Sequence, residues 1–268
     1  MRAQTRTQVI ELLRRYEIRP KKALGQHFLA DPNIIEKIVR LADLGPTSLV
    51  LEVGAGTGTL TRALAATGAR VVTYEMDESL TPLLAEVLSG AGQVEVRFAD
   101  ITTVDLGAQL DDGPWSLVAN LPYNVGTPLV LDILRSVPTI DTLVVMVQLE
   151  VAIRFVAEPG TSDYGLPSVV TGLHADAKLE FRVPPQVFVP APNVGSAVVS
   201  MRRVPEPPGA EKAIALASAA FSQRRKMLRR SLADRLHPGV LDACGIAGTA
   251  RPEELSPNDW LALAARNG

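Results

Sequence analysis

The sequence predicts a doubly wound α/β domain with a mostly parallel sheet and one antiparallel strand, followed by a small all-helical domain. Three observations carry this. Short apolar runs bounded by turn residues alternate with segments of helical length from about residue 47 to about residue 202. A glycine-rich turn, Glu52-Val-Gly-Ala-Gly-Thr-Gly58, directly follows the first run. The stretch Val204-Pro-Glu-Pro-Pro-Gly209 stops any regular element, and the chain beyond it reads as helical to the end.

Ser48–Val53, Arg70–Glu75, Gln93–Ala99, Trp115–Ala119 and Thr142–Gln148 read as strands, with helices expected at Thr59–Ala66, Glu78–Leu88 and Pro128–Ser136 between them. Strand–helix alternation in that order places parallel strands under helices on both faces. Ala177–Val183 and Ser196–Arg203 are two further strands, joined by a proline-rich excursion from Pro184 to Pro192. After the break, Phe221, Leu228, Leu232 and Leu236 fall on one face of an expected helix. Arg225/Arg229 and Lys226/Arg230, each pair four apart, fall on its other face. Ser256 reads as the N-cap of a last helix, with Pro257 at its first position. The expected division is a basic extension over 1–22, a catalytic domain over 23–204 and a helical domain over 205–268.

With 47 % apolar and 21 % charged residues, the 268-residue chain is expected to fold rather than remain disordered. Apolar runs such as Leu143 to Val147 are too short to cross a bilayer, and residues 1–22 hold no apolar leader segment. The lone cysteine, Cys244, forms neither an internal disulfide nor a multi-cysteine metal site. These features predict a cytoplasmic protein. The net charge of −2 hides an uneven distribution. Residues 1–22 and 221–237 each carry +5, so the remainder carries −12. Two basic patches on an acidic body can grip polyphosphate, or can simply be solvated helix faces.

The glycine turn lets the backbone approach a ligand at the carboxyl end of the first strand. Gly54 and Gly56 are therefore cofactor-site expectations. Glu75 ends the second strand 21 residues after Gly54, where a carboxylate can accept both hydrogens of a ribose diol. Both features suit a nicotinamide dinucleotide as well. The third glycine, Gly58, comes two residues after Gly56, whereas the dinucleotide pattern wants one at 59, which is Thr. That interval favours S-adenosylmethionine, and Asp100 after the third strand then suits the adenine amine.

Asn120-Leu-Pro-Tyr123 ends the fourth strand. An exocyclic aromatic amine is a poor nucleophile because its lone pair is delocalised into the ring. Accepting its N–H hydrogens through the Asn120 side-chain oxygen and a nearby carbonyl favours a pyramidal nitrogen poised for in-line attack on a methyl group. Tyr123 offers a ring on which an extracted base can stack.

In their ordered combination, these motifs resemble the KsgA family of small-subunit ribosomal RNA adenine dimethyltransferases. The residues that carry the resemblance are Lys21-Lys-Ala-Leu-Gly-Gln-His-Phe-Leu29, Glu52–Gly58, Asn120-Leu-Pro-Tyr-Asn124, Met146-Val-Gln148 with Glu150, Tyr164-Gly165, Phe188-Val-Pro-Ala-Pro-Asn-Val194 with Ser196, and Phe221-Ser-Gln-Arg-Arg-Lys226. The resemblance implies a class I methyltransferase sheet in which His27, Leu29, Gly54, Glu75, Asp100 and Asn120 surround S-adenosylmethionine. It also implies that Asn120, Leu121 and Tyr123 handle the target amine and ring, that Phe188 stacks on the base, and that two methyl groups are transferred in turn. The expected partner is the small ribosomal subunit or its assembly precursor, met by a monomer. Lys21, Lys22, Arg224, Arg225, Lys226, Arg229 and Arg230 are the expected RNA contacts. Position 149 is Leu where relatives often have Lys, and 195 is Gly where many have Asp. Competing readings are the related large-subunit adenine methylase of antibiotic resistance, a mainly non-catalytic assembly factor, and a nicotinamide-dependent oxidoreductase.

Overall fold

The computed structural model describes residues 3–110 and 113–267. Met1 and Arg2 of the expected extension lie outside them. In chain order the elements begin with α1 (Arg6–Arg15), β1 (Phe28–Leu29), α2 (Pro32–Ala42), β2 (Leu49–Val53), α3 (Thr59–Ala65), β3 (Arg70–Glu75) and α4 (Thr81–Val87). Then come β4 (Val94–Phe98), α5 (Leu106–Gln109), β5 (Trp115–Asn120), α6 (Gly126–Ser136), β6 (Ile140–Gln148) and α7 (Leu149–Phe155). The chain ends with α8 (Leu166–His174), β7 (Ala175–Val183), β8 (Phe188–Val189), β9 (Ser196–Arg203), α9 (Ala210–Phe221), α10 (Leu228–Ser231), α11 (Val240–Ala243) and α12 (Pro257–Arg266).

Seven strands form one sheet in the order β4-β3-β2-β5-β6-β9-β7. Pairing is parallel from β4 through β6, and β9 runs antiparallel to β6, with Met146 opposite Val198. The central strands are apolar on both faces: Val50, Leu51, Leu117, Val118, Val144 and Val145 are all buried. Continuous apolar runs of this kind mark strands covered by helices on either side. Each strand expected between residues 48 and 203 is present, with ends shifted by no more than two residues.

The contacts divide the chain into two compact units, Met1–Ala152 with Lys178–Arg202, and Ile153–Ala177 with Arg203–Gly268. The helical unit is thus larger than the stretch after residue 204, because it recruits α8 and the segment before it. Buried contacts within the unit explain this. Tyr164 and Trp260 pack on either side of Phe221, with ring centroids 6.1 and 6.2 Å from it, and Tyr164 Oη donates to Leu255 O at 2.8 Å. Gly160 N–H donates to Glu253 O. Of these two motif residues, Tyr164 is therefore a core residue of this unit and Phe221 is half-buried against it.

The expected amphipathic helix through Phe221–Leu236 is not continuous, and this corrects the register read from the sequence. α9 ends at Phe221, a run of turns follows, and Met227 is extended before the single turn of α10. Leu228 and Arg229 give their N–H groups to Ala250 O and Gly248 O instead of to carbonyls four residues back. Long-range pairing with the 248–250 loop has overridden the helical pattern. Leu228 and Leu232 are buried, whereas Leu236 is half-exposed.

At the other end of the chain, residues 5–16 form a docked helix rather than a loose basic arm. Thr5 and Gln8 make a capping box, and Val9, Leu12 and Leu13 bury one face of α1 in a cluster with Phe28, Ala55, Leu83 and Leu84. Leu228→Ala is expected to lower unfolding stability by about 2–5 kcal/mol, and Leu236→Ala by clearly less. Denaturant midpoints of the two variants test this, since a continuous helix would make the two losses alike.

Candidate active site

The carboxyl ends of β2, β3, β4 and β5 frame a solvent-open cleft. Ligands of open α/β sheets bind at this edge. Its floor is the turn between β2 and α3. Gly54, Gly56 and Gly58 all adopt positive φ, at 83°, 55° and 73°. A Cβ at Gly56 would also meet the Phe28 ring at 3.0 Å. The amides of these three glycines are already bonded, to Tyr74 O, Glu75 Oε2 and Ala55 O. The glycines therefore give the floor its shape, and their own N–H groups are not the ones that meet a ligand.

Glu75 is buried, and burial pushes its pKa up. Its Oε2 accepts from Gly56 N–H at 2.8 Å, and Oε1 accepts from the N–H groups of Met76 and Asp77, both at 2.9 Å. Three of four acceptor positions are in use. One hydroxyl can be added at Oε2, where the sequence reading expected two. Asp100 caps the turn after β4: its Oδ1 accepts from Thr102 Oγ1 and N–H, which holds its pKa below the usual value. Oδ2 has no partner among the described residues, so it can accept from an amine in the cleft.

Met76 lines the same wall and is 54 % exposed, the most exposed of the large apolar side chains described. An apolar side chain left bare between two acids is a surface for an aromatic ring. The sequence reading missed it, although its place directly after Glu75 was a usable signal.

Asn120 ends β5. Its Nδ2 donates to His27 O at 3.3 Å. A carbonyl can only accept, so the bonded end of the amide is the NH₂ group and Oδ1 remains an acceptor. Tyr123 Oη is 2.7 Å from Ser196 Oγ, a buried hydroxyl that fixes the ring, and burial raises the phenol pKa. The His27 ring stacks on Tyr123 with centroids 5.4 Å apart. His27 Nδ1 donates to Pro190 O at 2.8 Å, which ties it to the proline-rich loop. His27 thus lines the cleft and braces Tyr123 at once. Leu29 lines the cleft as well, though it is largely buried.

Other expected residues are placed differently. Phe188 is wholly buried, pairs with Leu29 through β1 and β8, and packs with Val118, Met146 and Val198. Its ring offers no face to a base, so it anchors the proline-rich loop and is not a stacking residue. Leu121 is buried too, and its N–H donates to Met146 O; it positions the turn through its backbone.

Lys21 is not free for RNA. Its ammonium lies 2.6 Å from Asp77 Oδ1, and Gln26 Nε2 donates to Asp77 Oδ2 at 2.8 Å. Burial works against the Asp77 carboxylate, but the bonds from Lys21, Ser79 and Gln26 outweigh it and hold its pKa at about 2. Lys22 is exposed on the adjoining turn. The two departures at 149 and 195 are neighbours, since Leu149 N–H donates to Gly195 O at 3.0 Å. Charge is absent from both partners together, so neither is left as an unpaired ion.

In the helical unit, Arg224 reaches Ser162 O at 2.8 Å and Glu253 at 3.8 Å, and Lys226 bonds Gln223 Oε1. The side chains of Arg225, Arg229 and Arg230 are exposed and have no partner among the described residues. Also among the described residues, no helix is long and apolar enough to cross a membrane, and no group of three His, Cys, Asp or Glu residues could hold a metal ion.

Residues 18–267 match the family model described as ribosomal RNA adenine dimethylase. The chain belongs to that family. It is 43 % identical to a ribosomal RNA small subunit methyltransferase A from Pelotomaculum thermopropionicum, over 96 % of this chain and 94 % of the relative. It is 45 % identical to the protein of the same name from Phenylobacterium zucineum, over 95 % and 90 %. Among solved structures it resembles the 23S rRNA methyltransferase ErmE, with a TM-score of 0.69 and 32 % identity over 90 % of this chain and 99 % of that one.

Because Lys21 holds Asp77, whose N–H bonds Glu75 Oε1, Lys21→Met is expected to weaken S-adenosylmethionine binding several-fold. The salt dependence of RNA binding should stay unchanged. The depressed Asp77 pKa contributes stability that is complete above its unfolded value of 3.8 and is lost as pH falls toward about 2. Unfolding curves across that window should be flatter for the variant than for the parent.

Proposed function

We propose that this chain transfers two methyl groups in succession from S-adenosylmethionine to the N6 of adenine in ribosomal RNA of the small subunit, in the cytoplasm and as a monomer. The observation that carries the reading is the pinned amide of Asn120 at the open end of β5, whose free Oδ1 is a hydrogen-bond acceptor with no charge. Identity of 43–45 % to small-subunit enzymes, against 32 % to the 23S enzyme, favours the small subunit as substrate.

The residues present fit the cofactor. The floor left open by Gly54 and Gly56 accommodates its amino-acid end, Glu75 accepts from one ribose hydroxyl, and Met76 and Asp100 receive the adenine ring and its amine. S-adenosylmethionine supplies a methyl group activated by sulfonium charge. The protein's own contribution is to the nucleophile. Asn120 Oδ1 accepts one N6 hydrogen, which draws electron density out of the ring and turns the lone pair toward the cleft. Tyr123, held by Ser196 and His27, offers its ring to the base. Stacking is worth roughly 1–3 kcal/mol, comparable with the few kcal/mol that extracting a base costs. No strong base is needed, because the methylated amine becomes acidic and releases its proton to water. A neutral acceptor also serves both transfers, since the monomethylated amine still has one hydrogen to donate.

Arg225, Arg229 and Arg230 supply uncommitted charge for phosphates. Sequence-specific RNA recognition targets unpaired bases, so the substrate is an exposed loop.

Label from S-adenosylmethionine, counted in small subunits, large subunits and free RNA and then digested to nucleosides, tests the reading. Dimethyladenosine confined to small-subunit material is expected, and label in large-subunit RNA would replace the substrate. Asn120→Ala should reduce turnover by at least about 10²-fold, with cofactor affinity changed only modestly. Near-parental turnover would remove the assigned role. Arg225→Glu with Arg229→Glu should weaken subunit binding and lower the slope of log affinity against log salt by about two. An unchanged slope would place the phosphate contacts elsewhere.

A further inference from the structure

Two side chains ahead of and within the first turn of α1 bond to the two loops that shape the cleft, and nothing in the chemistry described so far uses them. Gln4 is 8 % exposed. Its Oε1 accepts from Thr59 Oγ1 at 2.5 Å, and its Nε2 donates to Thr57 O at 3.3 Å. Both partners lie in or directly after the glycine turn, and Thr57 and Thr59 line the cleft. Thr57 Oγ1 and Thr59 Oγ1 are also 2.9 Å apart, so one buried amide closes a ring of hydrogen bonds around the turn. Arg6, two residues on, donates from Nη1 to Gln186 O at 2.9 Å and Phe188 O at 2.7 Å. Those carbonyls open the proline-rich loop whose Pro190 O receives His27, the ring stacked on Tyr123. The Thr5 capping box between them fixes the spacing of the two side chains.

We infer that Gln4 and Arg6 are positioning residues with separate tasks: Gln4 sets the glycine turn for the cofactor, and Arg6 sets the proline-rich loop, and through His27 the Tyr123 ring, for the base. Residues 4–6 then join the two halves of the site through local bonds made by one short segment. Removing Gln4 leaves Thr57 O and the Thr59 hydroxyl without the buried amide they bond, in a turn that lines the cleft. Removing Arg6 frees two carbonyls in a loop none of whose residues lines the cleft.

The inference rests on the cofactor reading above, and calorimetry with S-adenosylmethionine on the full chain separates the two. Gln4→Ala should raise the cofactor Kd about tenfold and leave kcat at saturating cofactor within about twofold. Gln4→Glu, which keeps the acceptor for Thr59 but sets a buried carboxylate oxygen against Thr57 O, should bind the cofactor no better than Gln4→Ala. Arg6→Ala should leave the cofactor Kd within about twofold and lower kcat/KM for the RNA substrate about tenfold, with partial rescue in Arg6→Lys. A merely structural helix would make the two alanine variants fail alike, and that result overturns the inference. So does a Gln4→Ala variant that binds cofactor as the parent does. A parent chain that binds no S-adenosylmethionine overturns the cofactor reading, and this inference with it.

Discussion

The hydrogen bond from Gly56 N–H to Glu75 Oε2 joins the turn after β2 to the end of β3, and the cleft is organised around it. It forms only if the turn can bring its backbone against a carboxylate, which requires the positive φ of Gly54 and Gly56 and the missing Cβ beside Phe28. Once made, it sets the direction of Glu75, and with it that of the chain through Met76 and Asp77, whose amides occupy the other oxygen. Asp77 is then held from outside by Lys21 and Gln26, and the turn from behind by Gln4. The residue type is dictated as well. A carboxylate supplies four acceptor positions where an amide oxygen supplies two, so Glu75 bonds three backbone donors and still has one position for a ligand.

A different logic governs Asn120. The role proposed for it needs an acceptor without charge, because a carboxylate there would attract the sulfonium methyl and compete with the amine for it. An uncharged amide is ambiguous in orientation until something distinguishes its two ends, and the carbonyl of His27 does so. The same residue that orients the amide through its backbone braces Tyr123 through its ring. The Asn120 amide and the Tyr123 ring are thus referenced to one point, and that point is tied to the proline-rich loop through Pro190.

The central strands, the glycine turn, Glu75, Asp100 and Asn120 were legible in the sequence because each depends on local pattern: an apolar run, a turn, a polar residue at a strand end. What was not legible depends on distant partners. Phe188 is given a stacking role by the family resemblance alone, and it is buried as an anchor of the proline-rich loop because β8 pairs with β1, 159 residues earlier at Leu29. Lys21 reads as part of a basic arm, and only the fold brings Asp77 to it. The helix expected through Phe221–Leu236 fails because Ala250 and Gly248 supply carbonyls that outcompete its own. Gln4 carries no local signal at all, since its meaning lies in Thr57 and Thr59.

Charge counted along the sequence overstates what is available to RNA. Of the five basic residues between 224 and 230, Arg224 and Lys226 are spent on the unit's own carbonyl, carboxylate and amide oxygens, and the other three remain. A protein with a net charge of −2 is repelled by polyanions at long range, and its attraction to phosphate must come from charge that is local and uncommitted. Screening over about 8–10 Å at physiological salt confines both effects, so an acidic body costs little once a basic surface is in contact. Such a surface holds RNA by its backbone without reading its bases. On the proposed roles of Tyr123 and Asn120, discrimination among adenines then falls to the fit of one extracted ring against them, and to the shape of the RNA that carries it.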